Sequence, residues 1–62
     1  MSKLHTKSLN FIKKNKSIYP SQLATYLSVD WETSKAILDE LVEFAGLRRF
    51  ENGRYTNKKE QP

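Results

Sequence analysis

The fold is decided by residues 18–56, which read IYPSQLATYLSVDWETSKAILDELVEFAGLRRFENGRYT. Pro20 suits the first turn of a helix, because its missing N–H would have no partner there. The residues LSVD at 27–30 form a tight turn, and the amphipathic run after them ends at Gly46. The pair Asn52-Gly53 is the strongest short-range signal for a β-hairpin. The order is therefore helix, tight turn, helix and hairpin.

The third helix is predicted from a stripe of apolar and small residues that step by three and four. The stripe contains Ser34, Ile37, Leu38, Leu41, Val42 and Ala45, and Phe44 extends the face. Asp30 suits the N-cap, because its carboxylate can accept from the free amides of the first turn. Ser28 is an alternative cap two residues earlier. Gly46 ends the helix, where a left-handed residue is needed.

A first helix is predicted from Lys3 to about Asn15, followed by a short extended piece at Ile18-Tyr19. In the hairpin, a two-residue type I′ loop at Asn52-Gly53 sets the register. That register places Glu51 opposite Arg54, Phe50 opposite Tyr55, and Arg49 opposite Thr56. The predicted architecture is mostly α with a small β-hairpin.

The 62 residues form one predicted domain, residues 1–57, followed by a tail at 58–62 that we expect to be disordered. No apolar run approaches the length of a membrane span, and the polar start does not resemble a signal peptide. We therefore expect a cytoplasmic protein that does not use a membrane as a partner.

The net charge of +4 is unevenly distributed. Five lysines and no acid lie in residues 1–29, five acids and one lysine in residues 30–45, and five basic residues and two acids in residues 46–62. A small basic protein with this excess suits nucleic acid as a partner. The lysines of the first helix fit either a solvated face or phosphate contacts.

Catalysis has little support in the sequence. His5 is the only histidine and cysteine is absent, so common nucleophile–base pairs and zinc ligand sets cannot be assembled. We expect His5 on the solvated face of the first helix. Asp39, Glu40 and Glu43 are expected to form a solvated acidic face of the third helix. We predict no enzyme activity, no metal and no cofactor.

The second helix and its turn, SQLATYLSV at 21–29, are followed by Thr33, Leu38, Leu41 and Gly46-Leu47. This pattern resembles the winged helix-turn-helix superfamily of small prokaryotic, viral or plasmid regulators. Its recurring features are L-A-x-x-L-x-V, a threonine or serine in the next first turn, two leucines three apart, and G-L before the wing. The resemblance covers roughly residues 18–56 and implies three helices plus a wing.

By position, the resemblance implies DNA contacts at the start of the second helix, in the first turn of the third helix and on the wing. The implied residues are Ser21, Gln22, Trp31, Thr33, Ser34, Lys35, Arg48, Arg49, Asn52 and Arg54. The third helix would enter the major groove, while the wing would hold the backbone or enter the minor groove.

The acidic opening of the third helix departs from that pattern. Asp30 is compatible with DNA if it turns back as an N-cap, and Glu32 would either accept from a cytosine amino group or repel the duplex. Trp31 has two interpretations. It covers the turn by packing on Tyr26 or Tyr19, or it is an exposed interface anchor.

We therefore predict a DNA-binding transcriptional regulator whose partner is double-stranded DNA. One such module covers only about 600–1,000 Å² of protein surface, so tight binding would call for a homodimer or a protein partner. The alternative is a winged-helix protein–protein interaction module that uses the acidic third helix and Trp31.

Overall fold

The architecture comes from a computed structural model that describes residues 3–57. Its elements, in chain order, are α1 (Lys3–Asn15), β1 (Ser17–Ile18), α2 (Pro20–Leu27), α3 (Trp31–Ala45), β2 (Arg48–Arg49) and β3 (Tyr55–Thr56). Three helices with a small sheet confirm the coarse fold prediction and the three helix positions. The predicted disordered tail at 58–62 lies outside the described residues.

The turn between α2 and α3 follows from two local conformations. Ser28 ends α2 in the left-handed region, with φ 59°, and its N–H points to the carbonyls of Ala24 and Thr25. Asp30 is the N-cap of α3, since its carboxylate accepts from the Thr33 amide at 3.2 Å. The alternative cap at Ser28 is therefore wrong, because Ser28 closes the preceding helix.

The end of α3 is set by Gly46, which has φ 76° and donates its N–H to the Leu41 carbonyl. A left-handed residue at this point turns the chain out of the helix and toward β2. The prediction that Gly46 ends the third helix is confirmed.

The sheet has three antiparallel strands in the order β1-β3-β2, one more than the predicted hairpin contains. Ser17 pairs with Thr56 and Ile18 with Tyr55 on one side of the central strand. The Thr56 hydroxyl also donates to the Lys16 carbonyl at 2.7 Å. The short extended piece after α1 is thus a strand that joins the hairpin to the helices.

The predicted hairpin register is wrong by one residue. Arg49 lies opposite Tyr55, and the Phe50 amide donates to the Arg54 carbonyl at 2.8 Å. The loop therefore contains three residues, 51–53. A type I′ turn needs positive φ at both loop residues, whereas here Gly53 has φ 88° and Asn52 does not share it. This is the geometry of a type I turn followed by a left-handed glycine.

The core lies where α3 packs against α1, α2 and the sheet. Its buried members are Ile12, Ile18, Leu23, Ile37, Leu38, Leu41, Leu47 and Tyr55. Burying such side chains contributes roughly 1.5–3 kcal/mol each. The covered face of α3 runs through Leu41 and Ala45, so Phe44 lies beside it and is 72% exposed. The prediction that Phe44 extends the buried face is wrong.

His5 does not lie on a solvated face as expected. Its ring is largely covered and contacts the Glu40 carboxylate, which joins α1 to the middle of α3. The contact arises because α1 packs along α3, a relation between residues far apart in the sequence. None of the helices within residues 3–57 is long and apolar enough to cross a membrane.

Candidate functional site

A groove of about 410 Å³ opens where the start of α2, the first turns of α3 and the hairpin meet. Five of the ten predicted contact residues line it, one or two from each of these segments. They are Ser21, Trp31, Lys35, Arg49 and Asn52. The groove also contains aromatic residues that the sequence did not single out as contacts, namely Tyr19, Phe50 and Tyr55.

The α2 wall of the groove is held by a helix cap. The Gln22 side-chain oxygen accepts from the Tyr19 amide at 2.7 Å, and the Gln22 amide donates to the Tyr19 carbonyl at 3.0 Å. Pro20 fixes the backbone at the same position. Gln22 is exposed but does not line the groove, and its side chain orients Tyr19.

The α3 wall is formed by Trp31, the first residue of the helix, which is 50% exposed. Tyr26 stacks on Phe11 with ring centroids 4.2 Å apart, and the packing of Trp31 on Tyr26 stays a prediction. Trp31 shares the groove with Tyr19 and keeps half of its surface open to solvent.

Ser34 lies outside the candidate site, which corrects its predicted role as a DNA contact. Its side chain is completely buried, and its hydroxyl donates to the Pro20 carbonyl at 2.7 Å. The covered side of α3 thus uses Ser34 to hold the start of α2 in place. A buried hydroxyl with this partner cannot reach a ligand at the surface.

Thr33 is exposed on the same turn of α3 as Ser34, and its hydroxyl and amide are directed to the N-cap residue Asp30. Hydrogen bonds from the Thr33 hydroxyl and amide lower the pKa of Asp30. Asp30 is therefore turned back on its own helix, as expected of an N-cap. Its charge is stabilised locally instead of facing freely outward.

Asp39 connects α3 to the hairpin and is not part of a merely solvated face. Its carboxylate accepts from Lys35 Nζ at 2.8 Å and from the Tyr55 hydroxyl at 2.6 Å. Arg49 lies 3.6 Å from the same carboxylate. The two cations of the groove are thus oriented by a single acid.

The pKa values in this cluster follow from those contacts. Partial burial raises the pKa of Asp39, but the hydrogen bonds and positive charges of its partners outweigh it, so the pKa lies below its ordinary value. The bond to Asp39 raises the pKa of Lys35. Burial, with the same carboxylate as second cause, raises the pKa of Tyr55. At neutral pH the cluster holds one negative and two positive charges.

The tip of the hairpin faces the α2 wall. Asn52 accepts from the Arg54 amide at 3.1 Å through its side-chain oxygen, and its Nδ2 lies 3.5 Å from the Tyr19 hydroxyl. Arg54 places its guanidinium carbon 4.9 Å from the centre of the Phe50 ring. Arg48 is exposed on β2 and, like Arg54, does not line the groove.

Sequence reasoning missed Tyr19, Phe50, Tyr55 and Asp39 as members of this site. The spacing of Lys35 and Asp39, four residues apart on one helix, is a signal for their ion pair. The contacts of Asp39 with the hairpin had no such signal, because they depend on tertiary packing.

Within residues 3–57, no cluster of three or more histidine, cysteine or acidic side chains has an arrangement that could hold a metal ion. The chain matches no protein-family model, no curated protein and no solved structure.

Proposed function

We propose that this protein is a DNA-binding regulator of the winged helix-turn-helix type. In this proposal the start of α3 enters the major groove, and the β2–β3 hairpin acts as a wing on the backbone or in the minor groove. The observation that carries the proposal is the single groove shared by α2, α3 and the hairpin. It brings together five residues that the resemblance assigns to DNA contact.

The charges on the hairpin support the same function. Arg48 is exposed on β2, and Arg49 has 55% of its side-chain surface open while it lies 3.6 Å from Asp39 and contacts the Tyr55 hydroxyl. A phosphate group can therefore approach both guanidinium groups without the burial of an unpaired charge. Arginine is well suited to this contact, because its planar fork matches phosphate oxygens.

The start of α3 contributes less positive charge than the hairpin. Lys35 is bound to Asp39 at 2.8 Å, and Glu32 is exposed in the first turn. We infer that phosphate contacts by the hairpin supply most of the affinity. The exposed side chain of Trp31 is then left to contact the bases, whereas the Thr33 hydroxyl is bound to Asp30.

Binding to a mixed-sequence duplex of about 20 base pairs, two helical turns, tests this function. Fluorescence anisotropy of the labelled duplex should show an affinity that falls steeply between about 50 and 200 mM salt. Such a fall follows from the release of counterions by the contacted phosphates. A protein that leaves the duplex unbound even at about 50 mM salt is not a DNA-binding regulator of this kind.

A second candidate function is a protein interaction module. It is favoured by one specific observation: Trp31 keeps half of its surface exposed next to the exposed acid Glu32. Large aromatic side chains are enriched at the energetic centres of protein interfaces. A homodimer or another protein with a basic or apolar surface would be the partner, and the absence of DNA binding at low salt would favour this function.

A further inference from the structure

The groove contains aromatic side chains that are exposed to solvent and lie outside the buried core. Tyr19 is 42% exposed and Trp31 is 50% exposed, although eight other side chains form a continuous buried core. Phe50 is partly exposed on the hairpin side. Three aromatic rings from three different segments thus face one shallow space. Such an arrangement is suited to a flat apolar ligand that fits between them.

Two cations, one exposed acid and two uncharged polar residues lie along the same groove. Lys35 comes from α3 and Arg49 from β2, and both lie beside Asp39. Ser21 and Asn52 supply hydroxyl and amide groups, and Glu51 is the acid of the hairpin loop. Aromatic faces next to cations are typical of sites where unstacked bases lie on side chains while their phosphates are neutralised. The volume of about 410 Å³ lies within the roughly 300–1,000 Å³ of small-ligand sites.

The ion pairs of Asp39 indicate which cation meets the phosphate. Lys35 Nζ lies 2.8 Å from the carboxylate, whereas the Arg49 guanidinium lies 3.6 Å from it and is the more exposed of the two side chains. Arg49 therefore gives up the weaker of the two ion pairs with Asp39 when it turns to a phosphate. Lys35 stays bound to Asp39 and keeps its positive charge on the α3 wall.

We propose that the groove takes one unstacked nucleobase against Trp31, with the phosphate of that nucleotide at Arg49. The inference rests on the proposed DNA-binding function and specifies the form of DNA: a duplex with an unpaired or extruded base. An apolar peptide would use the aromatic rings but would give Lys35 and Arg49 no new partner. A nucleotide uses both the rings and the charges.

Trp31 is the only tryptophan of the chain, so the intrinsic fluorescence of the protein reports directly on the groove. The experiment compares two duplexes of about 20 base pairs with the same sequence, one of which carries a single unpaired adenine at its centre. The duplex with the unpaired base should quench Trp31 and bind about 5- to 150-fold more tightly, which corresponds to the roughly 1–3 kcal/mol known for stacking of one base on an aromatic side chain.

Three variants assign this preference to the groove, with anisotropy of the labelled duplexes as the readout. Trp31→Ala should bind the two duplexes equally, whereas Trp31→Phe should keep part of the preference because it retains an aromatic ring. Phe44→Ala is the matched control, since Phe44 is an exposed aromatic residue on the same helix outside the groove. It should keep the full preference. Circular dichroism verifies that each variant is folded.

The outcomes separate this inference from the proposed function. Equal affinity of the parent protein for the two duplexes, or binding that leaves Trp31 emission unchanged, overturns the nucleobase site and leaves duplex binding intact. If Trp31→Ala still prefers the duplex with the unpaired base, the nucleobase site is also overturned. If neither duplex binds at low salt, both the proposed function and the nucleobase site are wrong.

Discussion

The Tyr55 hydroxyl donates a hydrogen bond to the Asp39 carboxylate over 2.6 Å, and this contact joins the central strand of the sheet to the middle of α3. The same carboxylate binds Lys35 and lies close to Arg49. A single acid thus links the hairpin directly to α3. In the proposed function, the position of the hairpin relative to α3 determines whether the two elements contact DNA together.

Removing the hydroxyl in Tyr55→Phe should lower the free energy of unfolding by about 1–2 kcal/mol, because a hydrogen bond to a charged group is lost at an almost fully buried ring. Urea denaturation at pH 7 measures the change. The matched control is Tyr26→Phe, since Tyr26 is half exposed and its ring stacks on Phe11. The control should stay within about 0.5 kcal/mol of the parent. Equal losses in the two variants would contradict a special role for the Asp39 contact.

The stability should fall on acidification, in part through Asp39. Its pKa is lower in the folded protein than its ordinary value, so the folded state binds fewer protons than the unfolded state. The resulting stabilisation is present above about pH 4, the pKa of an unfolded aspartate, and is lost as the pH falls through the folded pKa. Asp30 contributes with the same sign.

The Asp39→Asn variant should therefore show a shallower loss of unfolding free energy than the parent as the pH falls below about 4. Glu43→Gln removes an exposed acid of the same helix and serves as the control. Urea denaturation at a series of pH values measures how the free energy of unfolding depends on pH in each variant and in the parent. If Asp39→Asn and the parent lose stability in parallel, Asp39 does not contribute as described.

The helix boundaries could be predicted because their signals are local. Pro20, Asp30 and Gly46 act through the backbone of their own turn, and the structure confirms all three. The register of the hairpin could not be derived in the same way. An Asn-Gly pair fits a two-residue loop and also a three-residue loop that ends in a left-handed glycine. A difference of one residue in the length of the loop then changes the cross-strand partner of every residue in the hairpin.

The candidate site was predictable in its outline and not in its internal contacts. Half of the implied contact residues converge on one groove, whereas Ser34 is buried and bound to Pro20. A serine on an apolar stripe can be buried or exposed, and which of the two applies depends on how the neighbouring helix packs. The link between Asp39 and Tyr55 likewise depends on how the sheet packs on α3.

The buried bond of Ser34 predicts a structural role for this residue. Ser34→Ala should lower the free energy of unfolding by about 1 kcal/mol, because the Pro20 carbonyl loses a partner in a buried position. Ser21→Ala, an exposed serine at the start of α2, is the comparison and should change stability by less than about 0.5 kcal/mol. Thermal and urea unfolding measure both. If Ser21→Ala lowers the free energy of unfolding and Ser34→Ala leaves it unchanged, Ser34 does not have this structural role.

The left-handed conformation of Ser28 predicts a stabilising substitution. Ser28→Gly should raise the free energy of unfolding by about 0.5–1 kcal/mol, because glycine adopts φ 59° without steric strain. Ser28→Ala is the matched control, since it removes the hydroxyl and keeps the Cβ, and it should bring no gain. If alanine stabilises the protein as much as glycine, the left-handed backbone at this turn is not the cause.

The central claim, that the hairpin arginines contact DNA phosphates, is tested most directly by the salt dependence of duplex binding. Arg48→Ala combined with Arg49→Ala should weaken binding to every duplex and reduce the slope of log affinity against log salt by about 2, one for each lost contact. The comparison, Lys3→Ala combined with Lys7→Ala, removes the same charge from exposed positions on α1 outside the groove and should change the slope by less than the hairpin variant does. A hairpin variant that binds with the affinity and slope of the parent would contradict the account.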